Sequence, residues 1–253
     1  MPPYDAYVIC TAPRSGSTLL CKLLAATGVA GNPGSWFHEP SVEAWQARFG
    51  LSPAPGMAEE AVLASVFRAA IAKGSRGAGL FGLRLQRHSV DFFLGRLAAL
   101  RPETAGDAAR IRAVFGKTRY IHLTRSDKLR QAVSYVKARQ SGLWHAAPDG
   151  TELERLAPPR EPAYDAAALM ACFDEMTAYD RGWEGWFERE GIAPLRLSYD
   201  ALAADPLAVL RATLTGLGLD PAAARGVVPA VAKLADSTNE AWAARLAADL
   251  AAR

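Results

Sequence analysis

The apolar and polar positions of this chain alternate between two periods. Short, mainly apolar runs occur at Ala6–Cys10, Leu80–Leu85, Arg119–Thr124 and Leu195–Ser198, with a weaker one at Gly28–Ala30. They read as strands, because they are brief and bounded by turn residues or by longer helical patterns. Apolar residues at helical spacing predict helices over 16–27, 57–73, 88–100, 127–141, 163–190, 206–217 and 239–252. Asp205-Pro206 offers an N-cap followed by proline at the first helical position. Gly74, Gly142, Gly191 and Gly218 are placed to end the helices before them. Strands alternating with helices predict an α/β fold: a three-layer sandwich with a central, mainly parallel sheet. The stretch 146–162, rich in proline, glycine and charge, and the irregular stretch 31–55 read as loops. Loops at the carboxyl ends of such strands form the ligand crevice. One domain over 1–253 is expected, with inserted loops acting as a substrate lid.

Composition narrows the picture. Half of the 253 residues are apolar, enough for a sizeable core, yet no long clean apolar run predicts a membrane span. The first residues lack the basic and apolar regions of a secretory signal, so a cytoplasmic protein is expected. Cys10, Cys21 and Cys172 are scattered and read as buried free thiols. No cluster has metal-ligand spacing, and no metal is expected. A net charge of +3 is too mild to indicate a nucleic-acid partner.

The chemistry begins in the segment Tyr7-Val-Ile-Cys-Thr-Ala-Pro-Arg-Ser-Gly-Ser-Thr-Leu-Leu. An apolar strand runs through a tight small-residue turn into a helix. Loop N–H groups and the helix dipole then converge on one anion. The nucleotide loop G-x-x-x-x-G-K-[ST] is matched only in part. Gly16 and Thr18 fit, Ser17 stands where the lysine would be, and the cation comes earlier, at Arg14. A second anion site is read at 120–135, where a strand ends, Arg125 follows, and Ser134 lies about two turns into the next helix. An arginine fork suits phosphate. The competing readings are a pair between Arg125 and Asp127, and a Ser134 that only bonds its own helix.

The Pro-Arg-Ser-Gly-Ser-Thr loop resembles the 5′-phosphosulfate loop of sulfotransferases, whose donor is 3′-phosphoadenosine 5′-phosphosulfate (PAPS). Further segments resemble the bacterial trehalose 2-sulfotransferase family. They are Ala26-Thr-Gly-Val-Ala-Gly-x-Pro, Phe81-Gly-Leu-Arg-Leu, Arg125-Ser-Asp, Gln131-Ala-Val-Ser-Tyr, Lys137-Ala-Arg-Gln-Ser with Trp144, Gly182-Trp-Glu-Gly-Trp-Phe, Tyr199-Asp and Ala235-Asp-Ser-Thr-Asn-Glu-Ala-Trp. The resemblance runs through nearly the whole chain. It implies a P-loop-like sulfotransferase fold, PAPS as donor, a sugar or glycolipid acceptor and a homodimer. It also implies that Arg14, Ser15, Gly16, Ser17 and Thr18 hold the 5′-phosphosulfate, and Arg125 and Ser134 the 3′-phosphate. Gln131, Lys137 and Gln140 would face the sugar, and Lys233 with Ser237-Thr-Asn239 would close over the nucleotide.

The family's proposed base is a glutamate soon after the Gly-x-Pro. Here counting puts Ser35 at or beside that place. Glu39 is the nearest carboxylate and the chosen base, with the adjacent His38 as rival. Arg84 ends the central strand and is read as stabilising the leaving group or sulfonate, or as pairing with Glu39. Trp36, Phe37, Trp45 and Trp144 are candidates to stack on a sugar ring, with loop packing as the competing role for Trp36 and Phe37. Lys22 could reach a phosphate but reads better as a surface lysine. His122 reads as a core histidine, and His88 and His145 carry no pattern. Two other functions stay open: a P-loop small-molecule kinase, and a catalytically silent nucleotide-binding protein.

Overall fold

In a computed structural model, which describes residues 3–52, 54–232 and 234–252, β1 (Ala6–Thr11) is buried at every position. A strand covered on both faces belongs at the centre of a parallel sheet. It pairs in parallel with β2 (Phe81–Gln86) on one side and β3 (Thr118–Thr124) on the other. β6 (Leu195–Ser198) extends the sheet beyond β3, giving the order β2-β1-β3-β6.

The two faces of β1 feed separate cores. Val8 and Cys10 join Leu83, Leu85 and an aromatic group under α3 (Glu59–Ser75), α4 (Arg87–Leu100), α5 (Asp107–Phe115) and α7 (Ala166–Arg189). Tyr7 and Ile9 join Ile121 and Leu123 under α1 (Ser17–Ala26), α8 (Tyr199–Ala204) and α9 (Pro206–Gly216). This is the expected three-layer α/β arrangement. α6 (Lys128–Ser141) packs with α7 and α10 (Ser237–Ala251) around Ala132, Leu169, Met176 and Leu246 as a third, helical core. Cys10, Cys21 and Cys172 are buried free thiols.

The sequence misjudged three stretches and one glycine. Gly28–Ala30 is no strand: its backbone turns, and the Ala30 carbonyl accepts a bond from Tyr7 Oη. The edge of β2 is touched instead by Gly34, through a parallel bridge to Leu83. The stretch 31–55 contains α2 (Val42–Phe49), whose N-cap Ser41 accepts from the Ala44 N–H. Likewise 146–162 is not all loop, because β4 (Leu143–Ala146) and β5 (Glu152–Arg155) form an antiparallel hairpin. Gly74 does not end its helix. It lies inside α3, where a Cβ would meet the Phe81 ring at 2.4 Å and Trp36 Nε1 at 2.8 Å. Close packing against the strand, rather than helix termination, explains that glycine. Among the described residues no helix is long and apolar enough to cross a membrane.

Candidate active site

The chain leaves β1 for β2 on one side and then crosses to β3 on the other, so the topological switch lies at β1. Ligands of open α/β sheets bind outside the carboxyl ends of strands at such a point. The loop after β1 is anchored by Thr11, whose hydroxyl donates to the Leu123 carbonyl (2.8 Å) and also bonds buried Ser15. Gln131 Nε2 reaches from α6 to the Pro13 carbonyl (2.7 Å). Gly16, at φ 83°, is the N-cap of α1, and a Cβ there would lie 2.9 Å from the Tyr199 ring. Arg14 adopts φ 60°. A side chain held there costs on the order of 1–3 kcal/mol, and such strain gathers at ligand sites.

Arg14 Nε donates to Ser134 Oγ (2.9 Å), and its Nη1 donates to the Trp144 carbonyl (2.6 Å). Burial, with the Arg125 charge, pulls the guanidinium down to about 10, so it remains a cation at neutral pH. Arg125 is 6% exposed and stacks over the Tyr199 ring at 4.3 Å. One of its nitrogens donates to the Arg14 carbonyl (3.3 Å), while its buried Nε has no partner among the described residues. The sequence set Ser134 beside the 3′-phosphate with Arg125; the structure bonds it to Arg14. Asp127 goes to Arg130 rather than to Arg125.

Arg84 stands at the other side of the loop. Its Nε donates to Ser35 Oγ (2.7 Å) and its Nη1 to Thr18 Oγ1 (2.7 Å) and, more loosely, to Ser17 Oγ (3.4 Å). The expected pairing of Arg84 with Glu39 is not formed. Thr18 Oγ1 also meets His145 Nε2 at 3.0 Å, and Glu154 Oε2 lies 3.4 Å from that nitrogen. Burial, then the charges of Arg14, Arg84 and Lys22, push the His145 imidazole down to about 3. The contact with Glu154 is therefore one of a neutral ring at pH 7. Arg14, Arg84 and Arg125 all line one cleft, and none has a carboxylate at ion-pair distance among the described residues. Unbalanced buried cations at a helix N-terminus make an anion site.

The cleft has a volume of 1410 Å³. That exceeds the roughly 300–1,000 Å³ of a single small-molecule pocket, leaving room for a second ligand. Trp36, His38, Glu39 and Trp144 line it. Trp36 Nε1 is tied to the Gly82 carbonyl, and the Trp144 ring stands edge-on to Tyr135. Glu39 is bound by both oxygens to Arg48 Nη2 at 2.7 Å. Partial burial pushes this carboxyl up. Hydrogen bonds from its own backbone and from Arg48 outweigh that and hold it below the usual range. Burial pushes the His38 imidazole down, and its Nδ1 has no partner among the described residues.

Five expected sugar contacts lie elsewhere, and one of them, Gln131, is fully buried and holds the Pro13 carbonyl. Phe37 is 1% exposed and packs against Trp45, Phe67 and Phe93, so it is core. Trp45, fully buried beside it, is core too. Gln140 accepts from the Ala163 N–H, holding the chain that enters α7. Lys137 clamps Asp236 and Asn239 at the start of α10 instead of facing a sugar. Lys233 lies outside the described residues.

The sequence reading missed His145, Glu154 and Arg48. His145 and Glu154 reach the loop because β4 pairs with β5, and the four-residue β5, Glu-Leu-Glu-Arg, is too short and too charged to announce itself as a strand.

A family model described as Stf0 sulphotransferase matches residues 6–249. Two curated proteins named trehalose 2-sulfotransferase are each 29% identical to this chain. One, from Mycobacterium tuberculosis (strain ATCC 35801 / TMC 107 / Erdman), aligns over 263 residues, 96% of this chain and 94% of its own. The other, from Mycolicibacterium smegmatis (strain ATCC 700084 / mc(2)155), aligns over 262 residues, 96% and 95%. Among solved structures, the sulfotransferase domain from the Synechococcus PCC 7002 olefin synthase is similar at a TM-score of 0.44 and 16% identity, covering 97% of this chain and 94% of that one. A sulfotransferase from Alicyclobacillus acidocaldarius is similar at 0.43 and 15%, covering 97% and 92%. With a match that spans almost every residue from the first strand to the last helix, the chain belongs to the Stf0 sulphotransferase family and is a sulfotransferase.

Proposed function

We propose that this sulfotransferase moves a sulfuryl group from PAPS to a hydroxyl of a carbohydrate or glycolipid head group. The observation that carries the reading is the set of three arginines, Arg14, Arg84 and Arg125, lining one cleft without carboxylate partners among the described residues. The donor has anionic groups at both ends of its ribose, and two of these cations sit after neighbouring strands, β1 and β3. The residues fit it: among the described residues Arg125 keeps a buried Nε without a partner, beside the loop that opens α1.

In this reading the loop 14–18 holds the 5′-phosphosulfate, and Arg125 with Ser134 the 3′-phosphate. Arg84 faces the bond that breaks. The acceptor oxygen attacks sulfur in line with the departing phosphate oxygen. Positioning and charge stabilisation then dominate the rate, as in phosphoryl transfer. The products are a sulfate ester and adenosine 3′,5′-bisphosphate. For the acceptor's proton the sequence nominates Glu39, with His38 as rival, and both line the cleft. The relatives are named for trehalose, so that disaccharide is the first acceptor to offer, with Trp36 and Trp144 against its rings.

Calorimetric titration with adenosine 3′,5′-bisphosphate and with ATP·Mg²⁺ tests the donor class. Micromolar binding of the bisphosphate alone supports it. Binding of ATP·Mg²⁺ alone would turn the reading to a kinase. Mass spectrometry of trehalose incubated with enzyme and PAPS then tests the acceptor.

A further inference from the structure

We propose that Lys128, anchored on α7 by Asp180, is a positioning residue that fixes the spacing of the two phosphate sites, and so makes the cleft selective for nucleotides carrying both a 3′- and a 5′-phosphate. The inference rests on the donor reading above and deepens it. Lys128 opens α6 just after Arg125 and does not line the cleft, so it acts through other groups. Its side chain is 14% exposed and that of Asp180 22%.

An ammonium has three protons to donate and accepts nothing. Lys128 Nζ has three acceptors: the Arg125 carbonyl, Gln131 Oε1 at 3.0 Å and Asp180 Oδ2. The first holds the main chain at the arginine of the 3′ site. The second reaches the 5′ loop. Gln131 offers its oxygen to the lysine, and its Nε2 donates to the Pro13 carbonyl (2.7 Å), next to Arg14. The amide is fully buried, so it transmits position rather than binding ligand. The third bond ties both segments to α7. Trp183, one turn beyond Asp180 on that helix, donates from Nε1 to the Thr11 carbonyl (2.9 Å), at the root of the 5′ loop. One face of α7 therefore carries both sites.

Stability alone does not account for this pair. Apolar side chains of similar volume often serve a buried site as well as an ion pair. Asp180 Oδ1 is buried without a partner among the described residues, which costs free energy that an apolar pair would not. What the ions supply is direction: each bond of the ammonium points to a different segment. A ligand with two phosphates gains from both sites only if they stand at the ligand's own spacing. A shift between them spoils the joint fit and leaves either phosphate alone well bound.

The test is calorimetric titration of the full chain with adenosine 3′,5′-bisphosphate, adenosine 5′-monophosphate and adenosine 3′-monophosphate. Lys128→Met should weaken the bisphosphate by about 10–100-fold and each monophosphate by less than about threefold. The double change Lys128→Met with Asp180→Leu removes one charge of each sign, so net charge is kept and no ion is left unpaired. It should melt within a few degrees of wild type and show the same loss of selectivity. Asp180→Asn, which keeps the shape of the anchor, should give a smaller loss of the same kind and covers the case in which the double variant does not fold. A wild-type ratio of bisphosphate to monophosphate affinity in the folded variants would overturn the proposal. Equal losses for all three nucleotides would do so too, because they would make Lys128 a general cation or a structural support. A wild-type protein that binds the bisphosphate no better than the monophosphates would instead remove the donor reading, and the proposal with it.

Discussion

At the floor of the cleft, Arg125 and the loop 12–16 are fixed by the β1–β3 register and by buried bonds from Thr11, Gln131 and Ser15. At the rim, Glu39, His145 and Glu154 each depend on one or two partly exposed side-chain contacts. The floor inherits its geometry from the sheet and presents cations that pair with no carboxylate among the described residues. The rim is assembled from a hairpin and from the segment entering the short helix α2, whose Phe37 and Trp45 are packed in the core. On the proposed reading, donor binding falls to the part built on the sheet, and acceptor choice to the part built on loops and their packing.

The comparison is broken most severely if a rim segment proves structural or a floor residue dispensable. Phe37 tests the first, since it lies in the rim segment by sequence yet in the core by packing. Phe37→Ala should cost about 3–5 kcal/mol of stability, read by denaturant titration, while bisphosphate affinity per folded molecule holds. A loss under about 1 kcal/mol would return Phe37 to the cleft. Arg125→Ala tests the second. It should weaken adenosine 3′,5′-bisphosphate by about 30–1,000-fold, the worth of a buried charge-assisted pair, and adenosine 5′-monophosphate far less. Equal losses for the two nucleotides would remove Arg125 from the 3′-phosphate. Smaller still is Lys137→Ala, which frees the capping residues Asp236 and Asn239. A loss of about 1 kcal/mol is expected, with faster amide exchange confined to the start of α10.

The same division explains what could be read from the sequence. The strand–loop–helix from Ala6 to Ala26 was legible because its apolar period, glycine and arginine lie within one short segment. Arg125 was legible for the same reason, at the end of a strong apolar strand. Arg84 was placed at the crevice by strand position, but its partners Ser35 and Thr18 come from distant segments that no local pattern links. The aromatics Trp36 and Phe37 are neighbours with opposite fates, one at the cleft and one in the core. Only the tertiary packing of Phe67, Phe93 and Trp45 around Phe37 decides which is which. His145 carried no signal because its position is set by the pairing of β4 with the charged strand β5.

Glu39 gives the smallest effect and the finest cut. If the rim carboxylate at Arg48 is only a surface pair, Glu39→Gln should lower turnover by less than about tenfold. Its carboxyl sits lower in the folded chain than in the unfolded one, because Arg48 and a backbone bond favour the charged form. A depressed carboxylate stabilises the fold above its unfolded value and loses that stabilisation as pH falls through the folded value. Removing it should therefore flatten the wild-type loss of stability slightly on the acid side, below about pH 4, and leave neutral pH nearly untouched. Both partners are partly solvated, at 35% and 44% side-chain exposure, so the change should stay under about 1 kcal/mol. Melting curves of wild type and Glu39→Gln between pH 3 and pH 7 read this directly. A turnover loss of about a hundredfold or more in Glu39→Gln would mean that Glu39 leaves Arg48 when the acceptor binds, and that the rim is reorganised by its ligand.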